Sequence, residues 1–194
     1  MEKLIRDENL LSLSGLFVQY SAIGYHGCPR SRLDKLEETG QWPQSLTGWL
    51  GEGVYFWDND PSTGRWWAKD NYDDQEPTVI RAEIDLSDCL DFTNVFAQNA
   101  LKRLRNLKEE NPQVRKELTE WEDRGYTEEG ALIHLARKRV NREGPNFSAT
   151  RVPVHMAEEK KTMKTVGSTP LLVSFRMVIL VHDTTNIGDY EVLQ

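Results

Sequence analysis

Cysteine is almost missing from this 194-residue chain: there are two, Cys28 and Cys89, alongside four histidines. No Cys/His spacing among them looks like a zinc site, so a structural or catalytic metal is not expected. Two thiols so far apart suggest a reducing compartment, although the sequence alone leaves a Cys28–Cys89 bridge open. Long apolar runs are missing as well. Nothing approaches the roughly 18 residues of a membrane helix, and the opening MEKLIRDENLLSLSGLFVQY carries acids where a signal peptide wants cations. The expectation is a cytoplasmic chain that does not touch membranes. Repeats and low-complexity tracts are absent. Positive charge is in deficit, 24 Lys/Arg against 31 Asp/Glu for a net of −7, which favours solubility and argues against a generic polyanion binder.

What is present fits one domain, residues 1–194, with an elaborate insertion over 95–145. That length buries a real core without staples. Charge is uneven: residues 1–94 hold 8 Lys/Arg against 17 Asp/Glu, whereas 95–145 hold 11 against 9. Residues 8–20 read as a short amphipathic helix or a strand. Ala22–Gly27 reads as a strand broken by Gly-Cys-Pro, and Arg32–Thr39 as a helix stopped by Gly40. Val54–Trp57 is a buried strand. It leads through Asp60-Pro61, an N-cap with a first-turn proline, into a helix around Ser62–Lys69. Thr78–Leu86 alternates with period two, with Ile80, Ala82, Ile84 and Leu86 on the dry face. From Val95 to Val140 the pattern is helical, with one stripe at Leu101, Leu104 and Leu107 and a second helix at Ala131–Ala136. Pro170–Val181 reads as one long strand. Strands at both ends with helices between them give an α+β class.

Two segments carry candidate chemistry: Gly24-Tyr25-His26-Gly27, a strand ending in an imidazole, and Leu50-Gly51-Glu52-Gly53-Val54-Tyr55-Phe56-Trp57, glycines leading into an aromatic strand. Arg65-Trp66-Trp67-Ala68 follows on a helix. Taken singly, each has an ordinary structural explanation: a turn histidine, a common Gly-x-Gly, an aromatic core strand. His134 reads as a core or partly buried histidine, and His182 ends a strand with no visible partner. Trp42, Trp49 and Trp121 read as packing residues.

Taken together, the segments resemble the ADP-ribosyltransferase superfamily, which contains the diphtheria-type toxins and the poly-ADP-ribose polymerases. There a first strand ends in aromatic-His-Gly, matched by Tyr25-His26-Gly27. A second strand carries a tyrosine after Gly-x-Gly, matched by Gly53 and Tyr55, and a helix with small residues and aromatics follows, matched by Trp66-Trp67-Ala68. VIRAEIDLSDCL, Val79–Leu90, is similar to the next segment of small bacterial and phage-type members. The resemblance is strong over 22–92, weak over 147–190 and absent over 95–145. It implies split antiparallel β-sheets forming a central NAD⁺ cleft, with a helical insertion, and NAD⁺ as co-substrate without a metal. In that frame Tyr55 stacks on nicotinamide, His26 hydrogen-bonds ribose hydroxyls, and Gly27, lacking a Cβ, lets the ligand approach. Tyr25, Gly53 and Trp57 complete the binding set.

The family also places a glutamate on the late strand to stabilise an oxocarbenium-like transition state. The aligned residue here is Val178. The substitutes are Glu158 first and Glu159 second, in Val154-His-Met-Ala-Glu-Glu, where a solvated charge run explains them equally well. Arg151 offers a planar fork for the pyrophosphate, or is an ordinary surface arginine. The resemblance implies an intracellular mono-ADP-ribosyltransferase acting on a macromolecule. It is also consistent with the toxin of a toxin–antitoxin or phage-defence system, paired with a neutralising antitoxin protein. Lys102, Arg103, Arg105, Arg137, Lys138, Arg139 and Arg142 tilt the acceptor toward nucleic acid (RNA or DNA) over protein. A non-catalytic NAD⁺ or ADP-ribose-binding module and an NAD⁺ glycohydrolase are the alternatives.

Overall fold

In a computed structural model, residues 21–46, 48–143, 147–154, 163–166, 169–172 and 175–193 are described. The segment 8–20 and Glu158 and Glu159 lie outside these residues. In chain order the elements are β1 (Ser21–Pro29), α1 (Arg30–Thr39), β2 (Val54–Asp58), α2 (Pro61–Tyr72), β3 (Pro77–Asp85), β4 (Cys89–Asp91), α3 (Val95–Glu110), α4 (Pro112–Glu122), α5 (Glu128–Glu143), β5 (Ala149–Val154), β6 (Met163–Val166), β7 (Thr169–Leu172), β8 (Arg176–Val181) and β9 (Ile187–Leu193).

Local chemistry sets most boundaries. Gly40 closes α1 in the left-handed region, its N–H bonded to Leu36 O. The Asp60 carboxylate caps α2 by accepting from the Thr63 N–H, with Pro61 in the first turn. Asn111 accepts from the N–H groups of Gln113 and Val114 ahead of Pro112. This new start signal divides the helical stretch into three helices where the apolar stripes alone suggest two. The single strand expected over Pro170–Val181 is also two elements: β7 pairs with β6 in a separate two-stranded sheet, and β8 enters the main sheet.

The class is α+β, built on a seven-stranded mixed sheet in the order β4-β5-β8-β2-β1-β3-β9. The expectation of purely antiparallel sheets needs one correction, because β4 and β5 pair in parallel. Parallel neighbours require a long crossover, and α3–α5 are that crossover. The helical segment therefore links the outermost strand, β4, to its neighbour β5.

The sheet is unevenly knit. β1 pairs with β3 from Ser21↔Asp85 through Pro29↔Pro77, and β2 pairs with β8 from Val54↔Val181 to Trp57↔Val178. Between β1 and β2 only Gly24↔Asp58 and Tyr25↔Trp57 are in register. Beyond those pairs the two strands part, so the sheet has two halves joined at one end of their shared seam.

Apolar layers cover both faces. One contains Trp57, Val178 and Leu180 with Ile133 and Phe147; the other contains Phe56, Ile84, Ile179 and Val181. Leu104, Val114, Leu118, Leu132 and Leu135 form the interior of the three-helix bundle. Its cations tie the helices together: Lys108 bridges Glu122 and Glu128, and Arg105 pairs with Glu129. Arg115 donates to the carbonyls of Lys108 and Glu109, and Arg137 donates to Phe147 O. Cys28 and Cys89 are both free and buried. Burial pushes the Cys28 thiol up to about 11, which disfavours the reactive thiolate. No described helix is long and apolar enough to cross a membrane.

Candidate functional site

Where β1 and β2 separate, a cavity of about 260 Å³ opens. His26 and Gly27 on β1 and Arg32 on α1 form one wall. Gly53, Tyr55, Phe56 and Trp57 around β2, with Val178 on β8, form the other. Ser45, Gly48 and Trp49 close it from the connector, and Trp67 and Tyr72 from α2. The opening follows directly from the broken β1–β2 ladder.

His26 spans this gap. Its Nδ1 lies 2.8 Å from the carbonyl oxygen of Tyr55. A carbonyl only accepts, so Nδ1 carries the proton and donates. Burial pulls the imidazole down to about 4, against the backbone bond to Tyr55 and with help from the nearby Arg32 cation. The ring is therefore neutral at pH 7, and its Nε2 is a bare lone pair. Among the described residues that buried Nε2 has no hydrogen-bond partner. A buried acceptor without a donor is costly, and a ligand hydroxyl or N–H in the cavity would satisfy it. An anionic oxygen would not.

Tyr55 is held at both ends. Its hydroxyl donates to Gly51 O at 2.7 Å and accepts the Leu50 N–H at 3.0 Å, and its ring sits 6.0 Å from that of Trp49. Burial raises the phenol above its usual range, so it stays a neutral aromatic face. Gly53 enters β2 at φ 144°, where side chains are disfavoured and a Cβ would run into the Val181 carbonyl. Gly27 lines the cavity and also serves a packing contact. A Cβ on it would stand 2.6 Å from Gly64 O, so the missing side chain lets α2 pack on β1.

The remaining expected residues divide. Trp57 lines the cavity, stacked 5.8 Å from Trp67. Tyr25 is outside the lining and packs against the cluster that contains Trp57. Arg151 is outside it too: its guanidinium reaches Asp58 at 2.6 Å and Asp91 at 3.0 Å. The fork expected to meet a pyrophosphate instead staples β5 to β2 and β4. Val178, the residue aligned with the family glutamate, faces the cavity as a buried aliphatic group. Among the described residues the lining contains no carboxylate. Among the described residues no cluster of His, Cys, Asp and Glu is arranged for a metal.

Arg32 was not singled out by the sequence. Its guanidinium lies 5.7 Å from the centre of the Tyr72 ring, at the edge of the cavity, where it favours an anionic ligand group. Its spacing of six residues after His26, in the first turn of the helix that follows β1, is the one signal that pointed to it. His182, read as lacking a partner, bonds Thr150 Oγ1 at 2.9 Å and Glu52 O at 3.0 Å. The set is an aromatic-walled slot with a neutral acceptor inside and a cation at its rim. Comparison of the chain with protein-family models, curated proteins and solved structures finds no match in any of the three.

Proposed function

We propose that the cleft binds NAD⁺ and that the protein is a mono-ADP-ribosyltransferase, its divided sheet corresponding to the ADP-ribosyltransferase fold. The observation that carries this reading is the meeting of His26 and Tyr55 at one cavity in the split of the sheet, with the His26 Nε2 awaiting a donor. Tyr55 offers its face to the nicotinamide ring, His26 accepts from a ribose hydroxyl, and Arg32 meets a phosphate. The cavity, at about 260 Å³, lies just below the usual span of ligand sites, roughly 300 to 1,000 Å³. It suits the nicotinamide riboside end, with the adenosine end extending outward.

In the reaction, the bond between nicotinamide N1 and ribose C1′ breaks and its electron pair leaves with nicotinamide. A nucleophile on the acceptor then attacks C1′ and gives up its proton. The developing positive charge on the sugar calls for a carboxylate. Since Val178 supplies none, Glu158, four residues past the end of β5, takes that role, with Glu159 second. The acceptor we favour is nucleic acid; Arg105, Lys108 and Arg137 are engaged within the protein, while Lys102, Arg103 and Lys138 are among the exposed cations of the described part of the insertion. A cellular toxin of this kind would be held in check by a neutralising protein.

One observation favours a second reading: Val178, an aliphatic group lining the cavity where the family carries its acid, suits a module that binds NAD⁺ or ADP-ribose and does not cleave it. Incubation with labelled NAD⁺ and cell lysate separates the two. Nicotinamide release and label transfer in the wild type, falling by about 100-fold or more in His26→Ala and Tyr55→Ala, support the transferase. Binding without release supports the module, and release without a labelled macromolecule indicates hydrolysis. Nuclease sensitivity of the labelled product identifies nucleic acid as acceptor, and protease sensitivity identifies protein.

A further inference from the structure

The strip of chain from Gly48 to Gly53, which walls the cleft on the Tyr55 side, is gripped from several directions. The Gly51 N–H donates to Gly48 O at 2.9 Å, and Gly53 exchanges two bonds with Ser45 at 2.8 and 3.0 Å. The phenol of Tyr55 takes the Leu50 N–H and the Gly51 carbonyl, and His182 donates to the Glu52 carbonyl. A further carbonyl of the strip, that of Trp49, receives the hydroxyl of Thr127, which lies 78 residues away at the start of α5.

Thr127 performs two tasks with one oxygen. Its Oγ1 donates to Trp49 O and accepts the Gly130 N–H at 3.1 Å, capping α5. Gly130 is matched to the same carbonyl, because a Cβ there would stand 2.5 Å from Trp49 O. Tyr126 completes the contact: its ring lies 3.1 Å from where a Cβ on Gly51 would be. The first turn of α5 therefore lies directly against the backbone whose groups hold Tyr55.

We propose that Thr127 and Gly130 are positioning residues for the cleft: they fix residues 49–53, and through Leu50 and Gly51 they fix the phenol of Tyr55. The helical crossover is thereby mechanically coupled to the ligand site. Its consequence for affinity rests on the reading of the cleft as an NAD⁺ site; the coupling itself does not.

Three variants of the full chain test it. Thr127→Ser keeps both bonds and should match the wild type. Thr127→Asp keeps a good helix cap but, ionised, has no proton to donate to Trp49 O. Gly130→Ala improves helix propensity while pressing on that carbonyl. Hydrogen exchange in peptides spanning 48–55 should accelerate roughly five- to tenfold in the Asp and Ala variants, with exchange in α5 no faster than in the wild type. NAD⁺ affinity by calorimetry should fall by a similar factor and recover in Thr127→Ser. Wild-type exchange at 48–55 in both variants would overturn the proposal, as would acceleration spread equally over the whole chain. If the wild type binds no NAD⁺, the reading of the cleft fails, while the exchange data still decide the coupling.

Discussion

Two histidines in two regions of the molecule share the same surroundings on paper. His26, in the cleft, lies 5.6 Å from Phe56 and 6.2 Å from Trp42; His134, on the bundle, lies 3.7 Å from Trp121 and 5.9 Å from Tyr126. Burial is the first cause that pulls each imidazole down to about 4, and each also has a cation nearby, Arg32 or Arg137. What separates them is geometry. His26 is fixed at Nδ1, sealed from water, and has a buried ring nitrogen lacking a partner beside a cavity. His134 packs against an indole and is only partly buried. A depressed imidazole is therefore no mark of a site here; the broken ladder beside it is.

The contrast can be broken where the effects are largest. The bundle stands by packing, so Leu118→Ala, at a fully buried position, should cost about 2–5 kcal/mol, read from urea unfolding. Acid is the next lever. An unfolded imidazole titrates near 6.5 and the folded His26 near 4, so between those values the unfolded chain binds more protons. Stability complete above pH 6.5 is lost as pH falls toward 4, by on the order of 3 kcal/mol from His26. His182, lowered to about 3 mainly by burial, acts in the same direction. Melting curves from pH 7 to 4 should show a steep decline that His26→Gln flattens more than His134→Gln, because His26 is buried whereas solvent reaches the partly exposed His134 and weakens the cost of charging it. Should the two variants flatten it equally, the distinction between the histidines fails.

Finer tests follow. Arg32→Gln should weaken binding of NAD⁺ and ADP-ribose about tenfold, the scale of one charge-assisted contact, and leave nicotinamide riboside, which lacks phosphate, unaffected. Equal loss for both ligand types would remove Arg32 from phosphate recognition. At the small end, Lys116→Ala breaks an exposed i,i+4 pair with Glu120, and its stability should shift by no more than about 0.5 kcal/mol.

Much of this was legible in the sequence, for local reasons. The Gly40 stop, the Asp60-Pro61 start and the alternation of Ile80, Ala82 and Ile84 are decided within a few residues, and all three appear. The Asn111-Pro112 start was written there too, but the apolar stripes on either side masked it. The division between β7 and β8 was not legible, because an apolar run rich in β-branched residues lacks the punctuation that ends a strand. The cleft was legible only in part. His26 and Tyr55 stand out as motif residues, whereas Arg32 reaches the cavity because β1 leaves β2. Arg151 meets Asp58 and Asp91, 93 and 60 residues away, pairings that no spacing rule anticipates.

β8 has one more consequence, for the order in which the molecule can be made. It lies between β5 and β2 and contributes Val178 to the cleft, so both flanking strands wait for it. A ribosome delivers residues at about 5–20 per second, and the local contacts of the three-helix bundle can form as soon as they emerge. Until residues 176–181 follow, the nascent chain has its bundle but no second half of the sheet to part from the first. A chain truncated before them would lack the strand between β5 and β2 and one wall of the cleft.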